Sequence, residues 1–297
     1  MSDVNVNNKE VKKVKNKIKA GKIVSTTVYH AFMILFGLLM LYPVIWMILS
    51  SFKNSREVMT MPMQLFSDRL YFENYANGWE GVGNVGFGTF FANSFIISGI
   101  ATVGTVIASA LVAYGFARIK FPLKKLWFTC MILTMMLPYQ IIMVPQFVIF
   151  DKLGWTNTSL PLIVPAFGGG AFFIFLIMQF ISGIPGELDQ AAKIDGCGRY
   201  GIFFRIILPL IKPAIFTAAI FSFYWKWDDF LGPLLYLNSP SKYTVSLALK
   251  MFADPESIPD WGAMFAMSTL SLIPIFVIFL TCQRYLVEGI STTGLKG

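Results

Sequence analysis

Residues 187–213 read ELDQAAKIDGCGRYGIFFRIILPLIKP, a polar, charged segment set between two strongly apolar ones. Its residue types suit docking rather than bond making. Pro185 is expected in the first turn of a helix, where its missing N–H costs nothing. Glu187 and Asp189 then stand near the positive end of the helix dipole. Leu188, Ala191, Ala192 and Asp195 recur at i, i+3 and i+4 spacings, and small alanines allow a second surface to approach closely. Gly196 and Gly198 stop the helix and permit a sharp turn. A second short helix is expected from Arg199 to Phe204, with Pro209 and Pro213 at the entry to the next apolar stretch.

Catalytic and metal chemistry find little support. The one histidine, His30, stands alone in an apolar stretch, and no Cys/His cluster has metal-ligand spacing. Cys130 and Cys282 fall in apolar stretches and Cys197 in the polar loop, so no disulfide framework is expected. Gly289 and Gly294 have the spacing of a phosphate loop, but Leu295 follows where lysine would be needed. The groups left for recognising a solute are Asn93, Tyr114, Thr134, Tyr139, Gln140, Gln146 and Gln179, which lie within or at the ends of apolar stretches. To these is added the cluster Tyr224, Trp225, Trp227, Asp228 and Asp229, which joins aromatic faces to carboxylates. Polar groups in such stretches also bond to neighbouring helices, and an aromatic cluster also forms interfacial belts.

The elements that position these residues follow from composition. Of 297 residues, 56% are hydrophobic and 13% charged, where soluble domains carry about 25% charged residues. Six apolar stretches reach the ~20 residues needed to cross a bilayer: 24–49, 91–116, 126–150, 160–181, 206–224 and 261–282. Continuous runs of Leu, Ile, Phe and Val make them helices rather than alternating barrel strands. The N-terminal tail, the second and fourth loops and the C-terminal end together hold 17 of the 24 basic residues. That excess marks the cytoplasmic side, placing both termini and residues 187–213 inside. The net charge of +8 is accounted for by this asymmetry rather than by nucleic-acid binding. The first stretch is too long for a cleaved signal peptide.

The order Ala-Ala, Gly, Ile-x-Leu-Pro in residues 191–209 resembles the EAA loop of ABC importer permeases. The resemblance extends along the chain: SFK (51–53), NSF (93–95), AYGFARIKF (113–121), LPYQIIMVPQF (137–147), KLGWTNT (152–158), WKWDDFLGPLLYL (225–237) and VEGISTTGLKG (287–297). Together these are similar to the second permease subunit of carbohydrate-uptake ABC importers, the maltose-permease type. Gln190 stands where the family usually has Glu, Cys197 where a small residue is usual, and Asp228 where Asn is common.

The resemblance implies an all-α membrane protein with six transmembrane helices, of the type I importer permease fold. It implies a basic tail (1–22), a first helix (23–50), an extracellular loop (51–88), a five-helix core (89–284) carrying a coupling loop (185–205), and a cytoplasmic C-terminal tail (285–297). ATPase coupling is carried over to Glu187, Ala191, Ala192, Asp195, Gly196, Gly294 and Lys296. Tyr139, Gln140, Gln146, Gln179, Trp227, Asp228 and Asp229 are the candidates for a sugar path. The implied partners are a homologous permease subunit, two ATP-binding subunits, an extracellular solute-binding protein, a sugar and membrane lipid, in a bacterial cytoplasmic membrane. No cofactor, metal or catalytic residue is expected in this chain. The rival readings are an ABC permease for a non-sugar solute, an ion-coupled secondary transporter and a membrane enzyme. The secondary transporter would bury an ionisable group near mid-membrane; the six stretches hold no Asp, Glu or Arg, and His30 and Lys212 lie toward the ends of theirs.

Overall fold

Backbone N–H and C=O groups in a long apolar run have no water to pair with, so the run closes its hydrogen bonds on itself as helix. The computed structural model describes residues 3–252 and 259–294. Among them the regular secondary structure is all helical, and strand pairing is limited to one isolated bridge between Val82 and Val85. The elements are α1 (Asp3–Ser50), α2 (Ser55–Thr60), α3 (Glu73–Glu80), α4 (Phe87–Arg118), α5 (Lys124–Met135) and α6 (Tyr139–Lys152). There follow α7 (Leu160–Ile163), a 3-10 turn (Val164–Gly168), α8 (Ala171–Ser182), α9 (Glu187–Ile194) and α10 (Arg199–Ile202). A π turn (Phe203–Ile207) leads through α11 (Leu208–Leu210) to α12 (Lys212–Asp228), α13 (Leu231–Tyr236), α14 (Val245–Met251) and α15 (Trp261–Gly294).

Four stretches are long and apolar enough to cross a membrane: Ser25–Ser50, Phe87–Arg118, Leu160–Ser182 and Trp261–Tyr285. Two bent pairs, α5 with α6 and the Arg199–Leu210 segment with α12, bring the number to six if each counts as one span. The expected third helix, 126–150, is therefore not one rod. It turns by 100° between α5 and α6. Pro138, with φ −59° and ψ 135°, caps α6 there, and the residue before a proline avoids the helical region. Pro145, by contrast, is carried inside α6. The expected fifth helix, 206–224, likewise begins later. Ile211 (φ −93°, ψ 12°) separates α11 from α12, the two segments meet at 77°, and Pro213 sits in the first turn of α12. The basic tail is not a separate unit either, because α1 runs without a break from Asp3 into the first span.

Helix α4 is the axis of the fold. It packs against α8, α12 and the 3-10 turn, and α12 in turn packs against α15. Its buried positions are mostly small: Ser94, Ser98, Ala101, Gly104, Thr105, Ser109, Ala110 and Ala113. Small residues let helix backbones close up where lipid offers no hydrophobic drive. A Cβ on Gly104 would fall 2.7 Å from the Phe167 ring, and one on Gly169 (φ +76°) 3.2 Å from Ser109 Oγ.

The loop 51–88 forms a cap with two short helices, α2 and α3. Asn74 is buried and donates to Ser51 O and Lys53 O, both at 2.8 Å. Lys53 is buried too, with its ammonium donating to Gln64 O. Burial lowers its pKa below the ordinary lysine value, and nearby Glu57 partly opposes that.

Candidate coupling site and solute path

Helix α9 presents Glu187 and Asp189 in its first turn, where acidic groups meet the positive end of the dipole. Pro185 lies just before the N-cap residue Gly186 rather than inside the helix. The helix ends in a Schellman closure: Gly196 N–H donates to Lys193 O at 3.1 Å, and Cys197 N–H to Ala192 O at 2.9 Å. This requires a left-handed residue, and Gly196 has φ +81°. The chain then turns into α10 and the π segment. This is the helix–turn–helix that the spacing of alanines and glycines predicts.

Which face looks outward is a finding of the tertiary structure. Ala192 is 5% exposed and packs with Ile202, Phe203, Ile207 and Ile211 against Ala110, Ala113 and Ile177. It is therefore part of the backing of the loop, whereas Ala191 is exposed along with Glu187, Asp195 and Gly196. The outer surface carries large apolar groups that sequence reasoning passed over: Ile194 is 87% exposed, Tyr200 79% and Phe204 55%. A groove of about 500 Å³ runs beside them, lined by Asp195, Gly196, Cys197, Tyr200, Phe204 and Arg205 among others. Asp189 turns inward to Arg118, with Oδ2 at 3.3 Å from Nε. Tyr114, grouped above with the solute-path residues, instead donates its hydroxyl to Arg199 O at 3.2 Å. Gly294 is the last residue of α15, and Lys296 lies outside the described residues.

The solute-path candidates do not form one site. Trp227 is 4% exposed, its ring set against Phe91, Phe95 and Phe223, and its N–H donated to Ser271 O at 3.1 Å. With its ring packed and its N–H bonded, Trp227 has nothing left to offer a sugar and is a core residue. Asp229 Oδ1 accepts from Gly232 N–H at 3.0 Å, which starts α13 in the manner of a capping carboxylate. Asp228, beside it, is exposed. Tyr139 opens α6 at the 100° bend and lies near both Asp229 and Tyr236, so the two broken spans meet there. The Tyr236 hydroxyl is buried and faces Tyr139. Gln140 is exposed beside Tyr139, Gln146 is half-buried on α6, and Gln179 is exposed on α8 toward the coupling loop, apart from this group. Asn93 is committed to Ser241 O and Tyr243 O, and Thr134 to Met131 O.

A set of apolar helices, two candidate spans of which are broken, with a helix–turn–helix displayed beside them, is the architecture of a membrane-embedded subunit. The chain belongs to the family of binding-protein-dependent transport system inner membrane components, whose model matches residues 105–292. It is 34% identical over 285 residues to the probable ABC transporter permease protein YurM of Bacillus subtilis strain 168, covering 96% of this chain and 93% of that one. It is 33% identical over 258 residues to the arabinooligosaccharides transport system permease protein AraQ of Halalkalibacterium halodurans, covering 86% and 91%. Among solved structures, a bacterial ABC transporter involved in import of the acidic polysaccharide alginate superposes with a TM-score of 0.76 at 21% identity, covering 88% of this chain and 96% of that chain. That likeness bears on the fold.

Proposed function

We propose that this permease subunit imports sugars or oligosaccharides, paired in the membrane with a homologous permease and driven by two separate ATP-hydrolysing subunits. A solute-binding protein delivers the sugar from outside. ATP closes the ATPase pair, the coupling loop 185–205 moves with it, and the membrane helices rock from inward-open to outward-open. The binding protein must favour the outward-open state, because only differential affinity shifts a population. Both termini and the coupling loop are cytoplasmic, and the loop 51–88 is external.

The observation that carries this reading is the outward surface of the coupling loop. Ile194 stands exposed and Tyr200 and Phe204 line a groove, on a turn closed at Gly196 and backed by the core. Exposed apolar groups rimmed by charge mark a protein contact. The sugar class is supported by the likeness to AraQ, an arabinooligosaccharides transport system permease protein. The open faces of α1, exposed from Val28 to Tyr42, fit lipid and the second permease. In the solute path, Tyr139, Gln140 and Asp228 remain the groups with free surface, while Asp229 and Trp227 support the path from behind.

The test uses the assembled transporter with its ATPase subunits and binding protein. Tyr200→Ala and Ile194→Glu are expected to leave the permease in the membrane but to lose the ATPase subunits on purification, along with uptake of the binding protein's ligand. Each buried interface aromatic of this kind contributes about 2 kcal/mol or more. Retained ATPase subunits and full uptake in both variants would overturn the coupling reading. An unbiased screen of the binding protein against sugars, peptides and inorganic anions separates the sugar reading from the non-sugar one.

A further inference from the structure

The last turn of α4 holds both halves of the coupling loop. Tyr114 and Arg118 are four residues apart, so they share one face of that helix. The Tyr114 hydroxyl donates to the carbonyl of Arg199, the first residue of α10. Arg118 Nη2 donates to Ile184 O at 2.5 Å, on the chain entering α9, and Arg118 Nε faces Asp189 within α9. The Gly196 turn lies between the two anchored points. Apolar backing by Ala192 and Phe203 is non-directional; these polar contacts fix orientation.

The ion pair is buried yet incomplete. The side chains of Arg118 and Asp189 are 15% and 12% exposed. Even so, Arg118 Nε–H and Asp189 Oδ1 are buried with no hydrogen-bond partner. A fixed structural ion pair needs its remaining hydrogen bonds satisfied, because desolvation otherwise outweighs the attraction. The worth of the pair therefore depends on its geometry, which displacement of the loop changes.

The far end of α4 is tied just as directly to the outer loops. Ser94 Oγ accepts from Val245 N–H at 2.8 Å, and Asn93 donates to Ser241 O and Tyr243 O. The 32 residues of α4 span roughly 48 Å. One rigid element thus connects the coupling loop to the outer face.

We infer that Tyr114 and the Arg118–Asp189 pair form the joint through which displacement of the coupling loop is passed to α4, with Arg118 as its positioning residue. This rests on the coupling reading above. The joint differs from the docking surface: it faces inward, and its loss leaves Ile194, Tyr200 and Phe204 in place.

The measurement is solute imported per ATP hydrolysed, in liposomes holding the complete transporter with its binding protein. Only preparations that retain the ATPase subunits are compared. Asp189→Asn and Arg118→Lys are expected to keep those subunits while the ratio falls roughly threefold to thirtyfold. The binding protein's stimulation of ATP hydrolysis should weaken in parallel. Tyr114→Phe should act in the same direction and less strongly. Arg118→Gln combined with Asp189→Asn should lose less than the product of the single losses, since residues in contact are non-additive and no lone buried charge is left. An unchanged ratio in Asp189→Asn and Arg118→Lys overturns the joint, and so do single losses that simply multiply in the double variant. Where the charge variants fail to assemble, Tyr114→Phe decides, because it deletes one oxygen: an unchanged ratio there overturns the joint. Loss of ATPase subunits by Tyr200→Ala reports on docking alone, so the two readings fail separately.

Discussion

At the scale of single residues, one tight constraint lies where α15 meets the 51–88 loop. A Cβ added to Gly262 would stand 2.6–2.7 Å from the Asn74 amide atoms, and that amide is already committed to Ser51 O and Lys53 O. Gly262→Ala is therefore expected to destabilise the purified protein by about 1–3 kcal/mol through overpacking, read as a lower thermal midpoint. Asn74→Ser, which shortens the side chain, should recover part of the loss when combined with it, since neighbouring sites are coupled. Strict additivity would mean the two residues do not compete for space. Gly196 shows a different constraint. Nothing lies within 4 Å of its would-be Cβ, so its φ of +81° alone demands glycine. The turn was legible in the sequence because glycine after a short alanine-bearing helix has few other uses. The Gly262–Asn74 contact was not, because 188 positions separate the partners.

Among the elements, the connections matter more than the helices. Asn157, with φ +57°, knits the loop after α6 to the loop after α13. Its Oδ1 accepts from Asn238 N–H and Ser239 N–H, both at 3.1 Å, and its Nδ2 donates to Ser239 Oγ at 2.9 Å. Its own N–H donates to Tyr236 O at 2.7 Å, and Lys242 donates to its carbonyl at 2.6 Å. Asn157→Ala should cost about 2–3 kcal/mol, from left-handed strain and lost hydrogen bonds. Asn157→Asp, which keeps the acceptor oxygens, should retain much of that stability. Equal thermal midpoints for wild type and Asn157→Ala would show that the knot is dispensable. The sequence marks this segment only as part of a family-like KLGWTNT run. The two bends were half legible. Pro138 signals a break in the third span, but its size of 100° follows from how α6 packs over Tyr236, with Phe147 stacked on that ring. At Ile211 the sequence signals only the restart, through Pro213 in the first turn of α12, and not the 77° bend.

For the molecule as a whole, charge asymmetry predicts a cytoplasmic coupling loop and an external cap. A cysteine placed at Asp68 should react with an impermeant maleimide added to intact cells, whereas cysteines at Lys125 or Arg199 should react only after the membrane is opened. All three positions are exposed, so access decides the outcome. Labelling of Arg199→Cys in intact cells would invert the topology.

What the sequence determined by itself is whatever depends on local composition and short-range order. That covers the helical membrane class, the approximate spans, the turn at Gly196 and the family-like loop around it, since each is written in consecutive residues. What only the tertiary structure decided is which side of each helix faces what. Ala191 and Ala192 are adjacent and chemically identical, yet one faces outward and the other is sealed in the core. Trp227 and Asp228 are adjacent too; the indole is packed among phenylalanines from α4 while the carboxylate stays exposed. Arg118 and Asp189 meet across 71 positions of chain. Such placements depend on helix rotation and crossing, which are fixed by packing against distant segments and leave no trace in neighbouring residues.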